Sequence, residues 1–209
     1  MIILHIDSSA SGSASASRQL SAAAVETLRA GNENVQVKYR DLAANPPAHL
    51  SGELLSALRP SPGNPSEPGT NIAAELTLTE ILIDELLQAD VLVIGAPMYN
   101  FSIPSPLKAW IDRVAQPGRT FRYTEKGPVG LAGGKKALII SSRGGAIAGT
   151  PMEAAVDHQE AYLKTVLRFI GITNAKLVRA EGLSLGAESR KQAIERALAD
   201  LRLLDEAFA

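Results

Sequence analysis

Residues 91–114 read VLVIGAPMYNFSIPSPLKAWIDRV, and this stretch decides the fold. Val91 to Ala96 is almost continuously apolar, the pattern of a strand buried on both faces rather than one with a wet side. A helix follows closely. Pro106 sits where a first turn tolerates proline, Ser105 is placed as a cap, and Leu107, Trp110, Ile111 and Val114 recur at offsets 0, 3, 4 and 7. A doubly buried strand that leads into an amphipathic helix is half of a β-α-β unit, because helices on both faces are what hides such a strand from water.

Working outward, the same alternation continues in both directions. Ile2 to Asp7 is a short Ile/Leu-rich strand closed by a Ser/Gly stretch. Leu20, Ala23, Ala24, Thr27 and Leu28 then give helical spacing, with Ser17 as the expected cap and Gly31 as the expected stop. Val35 to Arg40 alternates apolar with polar, as an edge strand does. The irregular part runs from Asp41 to Asn71: Pro46-Pro47, a brief helical piece around Leu54, Leu55 and Leu58, and a Pro-rich stretch from Pro60 to Thr70. It is taken as an excursion within one domain, since neither flank alone closes a core. Leu78, Ile81, Leu82, Leu86 and Ala89 mark the helix that precedes Val91. Beyond Val114 come a loop through Phe121, Tyr123 and Gly127-Pro128, a strand at Ala137 to Ser142, and a helix through Leu163, Val166, Leu167 and Ile170 that Gly171 stops. A strand at Ala175 to Glu181 and a last helix carrying Ile194, Ala197, Leu198, Leu201, Leu204 and Phe208 complete the chain.

Five strands alternating with helices predict an α/β fold: a doubly wound, five-stranded parallel sheet in a single domain over residues 1–209. The flavodoxin-like strand order 2-1-3-4-5 puts strands two and five at the edges, and those carry the interspersed charges Lys38, Arg40, Lys176 and Arg179.

Composition bounds the function. With 209 residues, 45% hydrophobic and 21% charged, the chain suits one ordinary globular core. Lys and Arg number 21 against 22 Asp and Glu, a net charge of −1 that is too balanced for a dedicated nucleic-acid binder. The absence of Cys removes disulfides, thiolate nucleophiles and Cys-based metal sites, and fits a reducing compartment. The start, MIILHIDSSASG, has no basic leader, and no later run approaches the roughly 20 apolar residues of a membrane helix. A cytoplasmic protein with no membrane partner is expected.

In such sheets ligands bind beyond the carboxyl ends of the strands, where the strand order reverses. The loops after strands one, three and four are Ser8 to Ser17, Pro97 to Pro106 and Ser142 to Thr150. The first offers hydroxyls at Ser9, Ser11, Ser13, Ser15 and Ser17 before a helix N-terminus, which suits a phosphomonoester; a flexible Ser/Ala turn with one capping Ser is the alternative. The second puts Met98, Tyr99, Asn100 and Phe101 at the end of the central strand, where they form either the wall of a flat aromatic ligand or a hydrophobic plug. The third, Ser142-Arg143-Gly144-Gly145, has glycines that let backbone N–H groups approach developing negative charge, or it is a plain Gly turn. Competing motifs fail. There is no G-x-G-x-x-G, Gly130 to Lys136 precedes a strand and lacks the P-loop Ser or Thr, and no G-x-S-x-G or H-E-x-x-H anchors hydrolysis. His5, His49 and His158 lie on separate elements without metal-ligand spacing, so core or surface roles are expected and no metal site is assigned. Asp157-His158 stands as a possible proton source near the third loop.

Ser9 with Ser15 to Ser17, RDLAANP at 40–46, PMYNF at 97–101, TFRYTEKGPVGL at 120–131, SRGG at 142–145 and FIGIT at 169–173 together resemble the bacterial FMN-dependent NADH azoreductase and quinone reductase family across essentially the whole chain. The resemblance implies FMN as cofactor. Ser9, Ser15, Ala16 and Ser17 would hold its phosphate; Met98, Tyr99, Asn100 and Phe101 would line its ring; Ser142, Arg143, Gly144 and Gly145 would border the pyrimidine edge. It further implies a homodimer and a ping-pong transfer of two electrons from NADH or NADPH to a quinone or azo compound, with no catalytic side chain assigned. Phe101 and Phe121 are candidate pocket walls, and Arg59 a candidate contact for a pyridine-nucleotide phosphate. Ala16 departs from the resemblance, since relatives can carry a polar side chain there, and 146–152 and 60–70 match less well. The rivals are a one-electron carrier of flavodoxin type, which tends to be strongly acidic, and a silent nucleotide-sensing module.

Overall fold

A computed structural model describes residues 1–30, 34–59, 69–204 and 208. In chain order the elements are β1 (Ile2–Asp7), α1 (Ala16–Arg29), β2 (Gln36–Asp41), α2 (Gly52–Leu58), α3 (Thr70–Gln88), β3 (Val91–Pro97), α4 (Ser105–Val114), β4 (Phe121–Thr124), β5 (Gly127–Gly130), β6 (Lys136–Ser142), α5 (Glu153–Val156), α6 (Glu160–Phe169), β7 (Asn174–Ala180) and α7 (Ala187–Arg202).

The five long strands form one parallel sheet in the order β2-β1-β3-β6-β7, the doubly wound order expected from the sequence. Every residue of β3 is buried, whereas β2 and β7 keep partly exposed residues, so the charge pattern had placed the edges correctly. Strand side chains alternate between two apolar layers. Leu4, Ile6, Leu92 and Ile94 pack toward Leu82, Leu86, Trp110 and Leu163 of α3, α4 and α6. Ile3, Val91, Val93 and Leu138 pack toward Leu20, Leu28, Ala197 and Leu201 of α1 and α7. The chain needs glycine at Gly95, where a Cβ would stand 2.3 Å from Asp7 Oδ1 and 3.3 Å from Ser21 Oγ, so α1 and β1 close against β3 only if that atom is missing.

Several local expectations need correction. Ser15, not Ser17, caps α1: its Oγ accepts from Arg18 N at 3.3 Å, and Ser17 is the second residue of the helix, with its hydroxyl 3.0 Å from that of Ser15. α1 ends at the Ala30 C-cap, and the expected stop Gly31 lies outside the described residues, as does most of the Pro-rich stretch (60–68). Pro104 takes the N-cap position of α4, and Ser105 is its first residue. The supposed loop through Phe121 and Tyr123 is an antiparallel hairpin, β4 with β5, whose strands of four residues are too short and too Gly/Pro-rich to show a period. α7 ends at Arg202 rather than at Phe208; Phe208 is buried in the α1/α7 layer, with Lys176 Nζ 5.2 Å from its ring centre. Apolar spacing reported its burial but not its backbone.

Candidate functional site at the carboxyl edge of the sheet

The loops after β1, β3 and β6 meet, as the switch-point rule requires. A cleft of about 300 Å³ is lined by Ser9, Ser15, Ala16, Met98, Tyr99, Ser142, Arg143 and Gly144 of the expected residues, joined by Arg190 and Ser184. Ser17, Asn100, Phe101 and Gly145 do not line it. The second and third loops are laced at their roots by Met98 N donating to Ser142 O at 2.8 Å. The first and second are joined by the Tyr99 hydroxyl, 3.2 Å from Ser9 Oγ and accepting from Ala10 N at 3.2 Å. Burial raises the Tyr99 phenol, but hydrogen bonds from Ser9, Ser11 and Ala10 N–H and the charge of Arg18 outweigh it, so its pKa lies below the ordinary value.

Each loop presents backbone donors. Of the first N–H groups of α1, that of Arg18 goes to Ser15 Oγ and that of Gln19 to Ser15 O. Those of Ala16 and Ser17 are the pair a helix N-terminus leaves for an anion. In the third loop Arg143 N donates to Ala180 O, while the carbonyls of Arg143, Gly144 and Gly145 accept from Leu183, Ser184 and Gly182. This anchors the loop through its carbonyls and leaves the Gly144 and Gly145 N–H groups without an acceptor among the described residues. The second loop turns back through Asn100 (φ 48°) and Phe101 (φ 71°), with Tyr99 N donating to Ser102 O at 2.9 Å and Ser102 N to Tyr99 O at 3.0 Å. This is a primed two-residue turn, which Asn tolerates and Phe adopts only under strain. Phe101 is 56% exposed on this turn.

Behind the loops stand polar networks that sequence reasoning missed. Buried Asp7 accepts from Ser21 Oγ at 2.7 Å and from the Tyr39 hydroxyl at 3.1 Å, and Ser21 Oγ also meets His5 Nε2 at 2.9 Å. His5 is thus a core histidine, as expected. Arg18 makes two 2.7 Å bonds to Asp41 and donates to Ser9 O at 2.9 Å, tying the first loop to the end of β2. That pairing holds Asp41 below its usual carboxylate range and raises Arg18, while burial and the neighbouring Asp7 push the Tyr39 phenol up to about 12. Under the third loop the Arg143 guanidinium is 2% exposed and faces inward to Asp157 (2.7 Å), Glu160 (2.5 Å) and Glu181 (3.3 Å). Its side chain is a structural anchor. Burial raises the Asp157 carboxyl, but the Glu160 N–H, Arg143 and the Gln159 N–H outweigh it, and its pKa is lowered. The buried Gln159 donates to Ala96 O at 2.6 Å and accepts from Ser141 Oγ at 2.9 Å, clamping β3 to β6 just below the cleft. The Asp157 position just before a helix was a readable capping signal; the partnerships of Arg143, Gln159 and Asp41 were not.

Other expected residues lie elsewhere. Phe121 is buried against Phe169 (ring centres 4.5 Å apart) and Tyr123, so its side chain is part of the hairpin's packing and not a wall of the cleft. Arg59 is exposed at the C-cap of α2. His158, whose N–H donates to Phe101 O at 3.1 Å, and His49 line a second, larger cavity of about 630 Å³ beside the Asn100–Phe101 turn, between α4 and α6. Glu153, Asp157 and Glu160 converge within 4.8 Å of one another, but Arg143 and Arg179 neutralise them. No helix among the described residues is long and apolar enough to cross a membrane.

A doubly wound sheet with a donor-rich cleft at its strand order reversal defines the flavodoxin-like class. The chain belongs to the family described as having a flavodoxin-like fold, whose profile matches residues 1–204. An FMN-dependent NADH:quinone oxidoreductase of Azospirillum brasilense is 52% identical over 204 residues, 98% of this chain and 97% of that protein. A solved azoreductase of Bacillus anthracis strain Sterne superimposes with a TM-score of 0.86 at 25% identity, covering 97% of each chain. An FMN-dependent NADH-azoreductase of B. anthracis strain Ames Ancestor, solved in complex with FMN, gives a TM-score of 0.85 at 25% identity, covering 97% of this chain and 96% of that one.

The cleft fits FMN by the chemistry of its donors. Hydroxyls of Ser9, Ser11 and Ser15 stand beside the α1 N-terminus, no carboxylate lines the cleft among the described residues, and Gly144 lets backbone approach a flat edge. A carboxylate there would repel a phosphate dianion.

Proposed function

We propose that this chain is an FMN-dependent oxidoreductase that passes electrons from NADH to quinones, with azo compounds as alternative acceptors, on a single domain spanning residues 1–209. The observation that carries the reading is the convergence of the three loops on one carboxylate-free cleft, in a chain 52% identical to an FMN-dependent NADH:quinone oxidoreductase. FMN, when bound, supplies the two-electron redox chemistry. The protein's part is positional. Ser9, Ser15 and the N–H groups of Ala16 and Ser17 would hold the phosphate, Met98 and Tyr99 would seat the ring, and the Gly144 and Gly145 N–H groups would serve the edge where negative charge develops. Phe101, exposed on its strained turn beside the larger cavity, shields the place where a flat substrate stacks. One cavity open to both NADH and the acceptor requires them to enter in turn, which gives ping-pong kinetics. NADPH is the alternative donor. A second copy of the chain is the natural cover for the exposed Phe101 and Tyr99 and for the open face of that cavity, so a homodimer is part of the proposal.

The test is anaerobic. The yellow holoprotein should bleach on addition of NADH and regain its absorbance on addition of a quinone, with parallel initial-rate lines when both substrates are varied. Failure to bleach with either pyridine nucleotide removes the enzyme reading and leaves a one-electron carrier.

A further inference from the structure

Arg190 lies in the second turn of α7, yet its Nη2 crosses 176 residues of sequence to donate to Ala14 O at 2.9 Å, one residue before the Ser15 cap of α1. It thereby lines the same cleft as Ser9, Ser11 and Ser15. The other arginines near the first and third loops are already committed. Arg18 is bidentate to Asp41 and bonded to Ser9 O, and Arg143 is buried on Asp157, Glu160 and Glu181. Among the described residues no carboxylate pairs with Arg190. A guanidinium has five donors in a fixed plane, and one bond to a neutral carbonyl fixes its position while leaving the rest available. The phosphate end of the cleft otherwise offers only hydroxyls and amides, with the methyl of Ala16 where a polar side chain could have added a donor.

Resting on the FMN reading above, we propose that Arg190 is the side-chain cation of the phosphate subsite: it binds the FMN phosphate from the α7 side and makes the protein select FMN over riboflavin. α7 is thus part of the cofactor site as well as a layer of the core. The Ala14 bond pre-orients the guanidinium, so little side-chain entropy is lost when the dianion arrives. A charge-assisted contact of this kind corresponds to about a 10- to 100-fold change in dissociation constant.

The experiment titrates flavin-stripped protein with FMN and, separately, with riboflavin, following flavin fluorescence, for wild type, Arg190→Gln and Arg190→Lys. Arg190→Gln should weaken FMN by about 10- to 100-fold and riboflavin by less than about 2-fold, and should flatten the salt dependence of FMN binding; Arg190→Lys should recover part of the affinity. Arg190 is half-buried on the surface of α7, and unchanged urea midpoints of the stripped proteins verify folding. Equal losses for FMN and riboflavin, or no loss for FMN, would overturn the role of Arg190 while leaving the flavin reading in place. Wild-type protein that binds neither flavin would overturn both.

Discussion

Replacing Arg143 by methionine removes the buried cation on which the carboxylates of Asp157, Glu160 and Glu181 converge, at nearly constant side-chain volume. Breaking a buried pair from one side costs about 3–5 kcal/mol, because the remaining charge is left without compensation. The structure places the expected loss at the lower end. Glu160 keeps Arg179, whose Nη2 is 2.6 Å from its Oε2, and Glu181 is partly exposed, so Asp157, with a side chain 9% exposed, is the carboxylate left most stranded. A loss of about 3 kcal/mol in a domain of this size moves the melting midpoint down by about 6–12 °C. Asp157 accepts from the N–H groups of Gln159 (3.0 Å) and Glu160 (2.9 Å) through one oxygen, a function that the asparagine carbonyl retains. Adding Asp157→Asn to Arg143→Met should therefore recover at least about 1 kcal/mol, whereas Asp157→Asn alone should destabilise. Urea unfolding of the flavin-free single and double variants at neutral pH measures the cycle directly. A loss below about 1 kcal/mol for Arg143→Met, or strict additivity in the cycle, would refute the claim that this network holds the third loop.

Three further predictions test other parts of the scaffold. Phe101→Gly relieves the left-handed backbone at φ 71° and should stabilise the chain by about 1 kcal/mol while lowering turnover through loss of the exposed ring; a lower melting midpoint would show that the turn is not strained. Gly95→Ala puts a methyl 2.3 Å from Asp7 Oδ1 and should destabilise by about 1–3 kcal/mol with weakened FMN binding, since α1 must withdraw; an unchanged midpoint would contradict that packing. Asp41 and Asp157 have folded-state pKa values below the ordinary 3.8, so their stabilisation is complete above that pH and is lost as pH falls through the lowered values; Asp41→Asn and Asp157→Asn should each flatten the acid limb of the stability curve below about pH 4, and an unaltered limb would exclude them.

The sequence by itself determined the sheet and the address of the site. Ile2–Asp7 and Val91–Pro97 are apolar enough that only a two-faced sheet buries them, the mixed strands at 36–41 and 174–180 had to be edges, and the reversal of strand order then located the ligand loops. Those are statements about local composition and period, and they survive without knowledge of neighbours. Tertiary structure alone decided which atoms of those loops face the cleft. Arg143 stands in a loop that reads as ligand-binding, yet three acids from 157, 160 and 181 draw its charge inward. Arg190 stands on a helix that reads as plain packing, yet it reaches the first loop. Phe121 looked like a wall and proved to be the hairpin's own filling. Electrostatic pairing and aromatic packing depend on through-space distances of a few ångströms between residues tens of positions apart, and no one-dimensional periodicity encodes such distances.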